Sequence, residues 1–184
     1  MHKIFCIVGE SASGKDSLVN KLCEELNLSQ LISYATRPRR NGEGDTHIFI
    51  TEDDVKEYVD KMIAYTKIGE YEYFATIPQL YKSDIYVIDP NGVDYMRTIA
   101  KYKGINDICF VTIYINTPVE LRNDRAINIR KDDFETYYKR VLSEQEQFTN
   151  FKANAKFDYA VCNKDFNNAY NVLKRIIEVE TTQN

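Results

Sequence analysis

The chain has 184 residues, 43% hydrophobic and 28% charged, with a formal net charge of −4. That length suits one domain, which buries roughly 70% of its unfolded surface and needs no disulfide or metal to hold it. The negative balance argues against a general nucleic-acid or membrane-surface binder, while leaving room for a local basic pocket. Cys6, Cys23, Cys109 and Cys162 have no C-x-x-C spacing, and each lies in apolar sequence. Buried thiols in a reducing compartment are expected. The N-terminal apolar run is too short for a signal peptide or membrane span and none later is longer, so a cytoplasmic protein is expected.

Residues 3–8 are short, apolar and β-branched, which predicts a buried strand. "GESASGKDS" (9–17) follows and nearly matches the phosphate-loop pattern G-x-x-x-x-G-K-[ST]. Gly9, Gly14 and Lys15 are in place, but Asp16 stands where a hydroxyl is usual, and the hydroxyl moves to Ser17. Apolar residues at Leu18, Val19, Leu22, Cys23 and Leu26 predict an amphipathic helix over 15–26. Strand, glycine loop and helix together predict anion binding by inward-pointing amides and the helix dipole. Asp16 has two readings: a Mg²⁺ ligand, with Ser17 supplying a second oxygen, or a first-turn acid stabilised by the dipole.

Residues 34–46 are polar and predict a loop. Within it, T-R-P-R-R (36–40) is either a second anion site or a solvated turn. A short strand is expected at 47–50, then a helix over 52–60 capped by Thr51, then two strands over 63–76 turning near Gly69. A core strand over 84–88 ends at Asp89, a candidate for holding Mg²⁺ or a substrate hydroxyl, or an ordinary Asp-Pro turn starter. A helix follows over 91–102, then the most strand-like stretch, 108–115. Helices are expected over 118–129 and 133–151, a strand over 157–162 and a last helix over 166–179. Arg122, Arg125, Arg130 and Arg140 form a charged helix face or a set that stabilises a transferring phosphoryl group. The only histidines are His2 and His47, so no Ser-His-Asp set is available. The alternation predicts an α/β fold, a parallel sheet flanked by helices, with ligands beyond the strand ends at Gly9, Asp89, Asn116 and Asn163.

Taken together these segments resemble the guanylate kinase family of nucleoside monophosphate kinases. "SYATRPRRNGEGDTHIF" (33–49) is similar to the family's S-x-T-T-R-x-x-R-x-G-E segment, "IDPNGV" (88–93) to its I-D-x-Q-G-V, and "FDYAVCNKD" (157–165) to its Y-D-Y-V-V-x-N-D. The resemblance implies a P-loop NTPase core (1–32, 77–117, 133–184), a small mixed-strand acceptor-binding subdomain (33–76) and a helical lid (118–132). It implies ATP as donor, held by Gly9, Ser11, Ala12, Ser13, Gly14, Lys15, Asp16, Ser17 and Asn163. It implies an acceptor monophosphate contacted by Ser33, Arg37, Arg40, His47, Tyr71 or Tyr73, and Asp89. Lys15, Arg125, Arg130 and Arg140 would neutralise the transition state, and Asp16, Ser17 and Asp89 would lie at Mg²⁺. GMP or dGMP is the first expected acceptor, on a monomer or homodimer binding neither nucleic acid nor membrane. The family's guanine-reading Glu falls at or near Ala64, a base-site hydroxyl near Ala75 and an acid on Val87. G-K-D-[ST] itself resembles loops of phage-type deoxynucleoside monophosphate kinases and of some phosphomevalonate kinases. A kinase for another nucleotide or small phosphorylated acceptor, or an inactive protein-binding module, are the alternatives.

Overall fold

The computed structural model describes residues 1–39 and 44–182. Among these, five strands form a parallel sheet in the order β2-β7-β1-β8-β9: Gln30–Leu31, Ile85–Val87, His2–Val8, Ile108–Asn116 and Tyr159–Cys162. Strand periodicity divides the core across this sheet. Ile4, Cys6 and Val8 of β1 face helices α3 (Pro90–Tyr102) and α5 (Phe134–Ala153), where Val93, Met96, Phe148 and Phe151 are buried. Phe5 and Ile7 face α1 (Lys15–Leu26) and α6 (Phe166–Thr182), packing with Leu18, Leu22, Tyr170 and Leu173. The α/β fold with a parallel sheet between helices is as the alternation implied.

A second, mixed sheet has the order β4-β3-β6-β5: Ile48–Phe49, Tyr34–Ala35, Tyr71–Thr76 and Met62–Ile68. Ile63, Ala64 and Ala75 of this sheet are buried in the same apolar cluster as α3. The two-strand turn at Gly69 is present, with that glycine in the left-handed region.

Several elements differ from expectation for local reasons. The helix over 52–60 is replaced by 3₁₀ turns at Asp54–Glu57 and Val59–Lys61. Asp54 Oδ2 accepts from Thr51 N–H at 2.9 Å and Thr51 Oγ1–H at 2.7 Å, and such side-chain bonding competes with a continued helix. The two-residue strands β2 and β3 and the short helix α2 (Ile77–Leu80) are too brief to leave a periodic signal. Helix α4 (Val119–Asp124) continues as a wider π-type turn over Arg125–Ile129. The cysteines are not uniformly buried: Cys6 is, Cys23 and Cys109 are half-buried, and Cys162 is exposed. Cys162 lies on the sheet-edge strand β9, where alternation turns Val161 inward and leaves its neighbour outside.

Candidate active site

β1 leaves the sheet at Gly9 and the chain returns as α1 at Lys15. A side chain at either end of this loop would force its neighbours to shift, and at Gly14 it would also meet a left-handed backbone. A Cβ on Gly9 would lie 2.6 Å from Ser13 Oγ, and one on Gly14 (φ +83°) 2.7 Å from Asn163 Nδ2. The Ser13 carbonyl accepts three donors: Thr117 Oγ1–H (2.9 Å), Arg125 Nη1–H (3.1 Å) and Asn163 Nδ2–H (2.7 Å). A trans peptide directs N–H opposite to C=O, so this clamp turns the Gly14 N–H away from β8 and β9. The N-terminal dipole of α1 and the Lys15 ammonium add positive potential at that point. Lys15 Nζ lies 3.4 Å from Asp16 Oδ2, whose side chain is 70% exposed.

Gly9, Lys15 and Asp16 line a cleft of about 680 Å³. The same cleft is lined by Tyr73 of β6, by Ser33, Arg37 and His47 beside the strands of the second sheet, by Asp89 at the start of α3, and by Arg130 and Arg140 from the helical side. Arg37 is 6% exposed; its guanidinium lies over Phe49 (5.1 Å) and donates through Nη1 to the Pro38 carbonyl at 3.0 Å. Ser33 Oγ and His47 Nδ1 are 3.0 Å apart, and the His47 ring packs edge-on against Tyr73. Of the two tyrosines considered, Tyr73 reaches the cleft, whereas Tyr71 is exposed at the outer end of β6. Arg40 lies outside the described residues. Asp89 caps α3, accepting the Gly92 N–H at 3.0 Å. Burial raises its carboxyl above the usual range, against hydrogen bonds from the helix backbone and Thr66 that favour the ionised form.

The arginines of the helical segments beyond β8 separate into two kinds. Arg130 and Arg140 both donate to Asp132 Oδ2, at 2.5 and 2.7 Å, and are thereby held together at the cleft. Arg125 is instead committed to the loop's support, donating to the Ser13 and Asn163 carbonyls. Asn163 is fully buried beneath the loop, and Ser17 is exposed on α1 and does not line the cleft.

Some supporting residues carried no signal in the sequence. Glu10, within the loop itself, is buried; it accepts from Tyr114 Oη–H (2.8 Å) and Lys152 Nζ–H (3.0 Å), with Arg122 Nη2 at 3.9 Å. Burial and the Glu10 charge push the Tyr114 hydroxyl well above its ordinary pKa. Its partners lie 104 to 142 residues away, so spacing could not reveal them. Asp132 is likewise identifiable only from the two arginines it gathers.

Among the described residues no group of three or more His, Cys, Asp or Glu could hold a metal alone. Mg²⁺ asks for less: one or two carboxylates, with phosphate oxygens and water completing an octahedron. The solvent-facing Asp16 carboxylate, in the cleft beside Lys15, fits that donor chemistry. Also among the described residues, no helix is long and apolar enough to cross a membrane.

The Guanylate kinase family model matches residues 1–180. The guanylate kinase of Chlamydia muridarum is 30% identical over 190 residues, covering 97% of this chain and 88% of that protein. That of Protochlamydia amoebophila is 30% identical over 189 residues, covering 96% and 90%. The crystal structure of guanylate kinase from Anaplasma phagocytophilum superposes with a TM-score of 0.66 at 19% identity, covering 97% of this chain and 86% of that one, a likeness of fold. A glycine loop with its lysine and a buried arginine line one cleft, in a chain matched along nearly its whole length, and the conclusion is that the chain belongs to the guanylate kinase family and is a nucleoside monophosphate kinase.

Proposed function

We propose that the protein transfers the γ-phosphoryl group of ATP to GMP or dGMP, giving the nucleoside diphosphate and ADP. The observation that carries this is the single cleft lined both by Lys15 and Asp16 and by Ser33, Arg37, His47 and Tyr73. The relatives' printed activity supports guanine as the base.

In this mechanism the loop amides and Lys15 hold the donor's phosphates, and Arg37, with Arg40, holds the acceptor phosphate. Ser33, His47 and Tyr73 complete the acceptor side. No strong base is required, because the attacking phosphate oxygen is already anionic; alignment and charge stabilisation carry the rate. Arg130 and Arg140, paired through Asp132, supply positive charge to the moving phosphoryl group. Arg125 acts behind them by keeping the Ser13 carbonyl turned away from the phosphates. Asp16, with Asp89 in the same cleft, would hold Mg²⁺, which would supply charge neutralisation at the donor's outer phosphate oxygens; Ser17, outside the cleft, drops out of this role. The segments 33–76 and 118–132 act as the acceptor-binding subdomain and the lid, excluding water when closed.

One observation favours a second reading, a different or broader acceptor. Ala64 is 1% exposed, lines the cleft and pairs across the β5–β6 ladder with Ala75, while Val87 lines the same wall. These positions offer no acceptor for guanine's N1–H and amino donors. A coupled ADP-release assay with ATP and a panel of monophosphates decides between them. GMP and dGMP should support the highest kcat/KM. If no monophosphate accelerates ADP release, the kinase assignment fails.

A further inference from the structure

The phosphate loop is gripped from a second side. Ser11 donates its backbone N–H to Glu144 Oε2 at 2.8 Å and its hydroxyl to Glu144 Oε1. Glu144 stands on α5, one helical turn beyond Arg140, and both line the cleft with Lys15. A carboxylate this near a polyphosphate site opposes the ligand, by about threefold in affinity for one charge several ångströms away in water. The contact it makes in return is larger. A hydrogen bond to a charged group is worth about ten- to hundredfold in an equilibrium constant.

What that contact holds is a strained segment. Ala12, the next residue, has φ +62°, a left-handed conformation that a residue with a Cβ adopts at a cost. Ser11 is fixed from α5, and Ser13 is fixed by Thr117, Arg125 and Asn163 from the far side. Ala12 is therefore held in its conformation from both directions. We propose that Glu144 is a positioning residue for the donor site. It keeps the 11–13 segment in its phosphate-ready shape and sets the loop's distance from Arg140 on the same helix. It acts through Ser11 and does not touch the reacting groups. The assignment rests on reading this loop as the donor phosphate site.

The sign of the effect separates this role from simple repulsion. Glu144→Ala should raise the Kd for ATP, titrated without acceptor, about tenfold. Glu144→Gln keeps an oxygen for the Ser11 N–H and should stay within about threefold. In the unliganded protein, hydrogen exchange of peptides covering 9–14 should accelerate in Glu144→Ala and not in Glu144→Gln. Acceptor KM should not move in either. Tighter ATP binding in both variants would overturn the proposal, making Glu144 a competing anion. Unchanged affinity and exchange in Glu144→Ala would overturn it equally. Should that variant not fold, Ser11→Ala removes the hydroxyl half of the contact and takes its place in the exchange comparison. Failure of the wild-type protein to bind ATP would remove the donor reading instead, while the exchange comparison still judges the contact.

Discussion

On the proposed assignment of Lys15 to the donor and Arg37 to the acceptor, Arg37→Ala should weaken the acceptor alone. The Arg37 residue is 6% exposed, and its guanidinium is oriented by Phe49 and the Pro38 carbonyl. Its entropy of ordering is thus spent before the acceptor arrives. A bidentate grip makes two charge-assisted hydrogen bonds, and losing both costs about 3–4 kcal/mol after partial compensation by water and neighbours. That corresponds to a rise of about 150- to 900-fold in acceptor KM. Arg37→Lys keeps the charge and loses the fork, so an intermediate loss is expected. The assay varies the monophosphate at saturating ATP, with ATP binding titrated separately. Equal weakening of ATP and acceptor, or an acceptor KM within about threefold of wild type, would refute separate phosphate sites.

Further outcomes follow from the same geometry. Ala64→Glu places a carboxylate on the buried cleft wall opposite Ala75 and should raise the preference for GMP over IMP about tenfold or more, measured as a ratio of kcat/KM. A ratio unchanged by that substitution would mean the base does not reach position 64. Asp16→Ala should raise the Mg²⁺ concentration for half-maximal activity at least about threefold, since its exposed carboxylate is the nearest to Lys15; no change would make it only a helix-start acid. Thiol labelling near pH 8 should modify the exposed Cys162 quickly and leave Cys6 untouched until unfolding, because burial pushes the Cys6 thiol up to about 12. The folded state thus retains a proton that the unfolded chain releases above its ordinary value of 9.0, so this contribution to stability is present below pH 9 and is lost as pH rises from there towards 12. Reaction of Cys6 at the rate of Cys162 in the native protein would contradict the burial argument.

The sequence alone determined those features that depend on neighbours in the chain. β1, the glycine loop and α1 follow from an apolar run, two glycines with a lysine, and a 3.6-residue period, all within residues 2–26. The order of the long strands and helices is legible for the same reason, and it places Gly9, Asp89, Asn116 and Asn163 at the carboxyl ends of the strands of a parallel sheet. Tertiary structure decided what depends on partners far apart. Only packing reveals that Arg125 supports the loop while Arg130 and Arg140 share Asp132, since residue type alone does not tell these arginines apart. Only packing brings Glu144 to Ser11, 133 residues away, and Lys152 to Glu10. A hydrogen bond is decided within about 3 Å, and no local pattern encodes which distant side chain closes that gap.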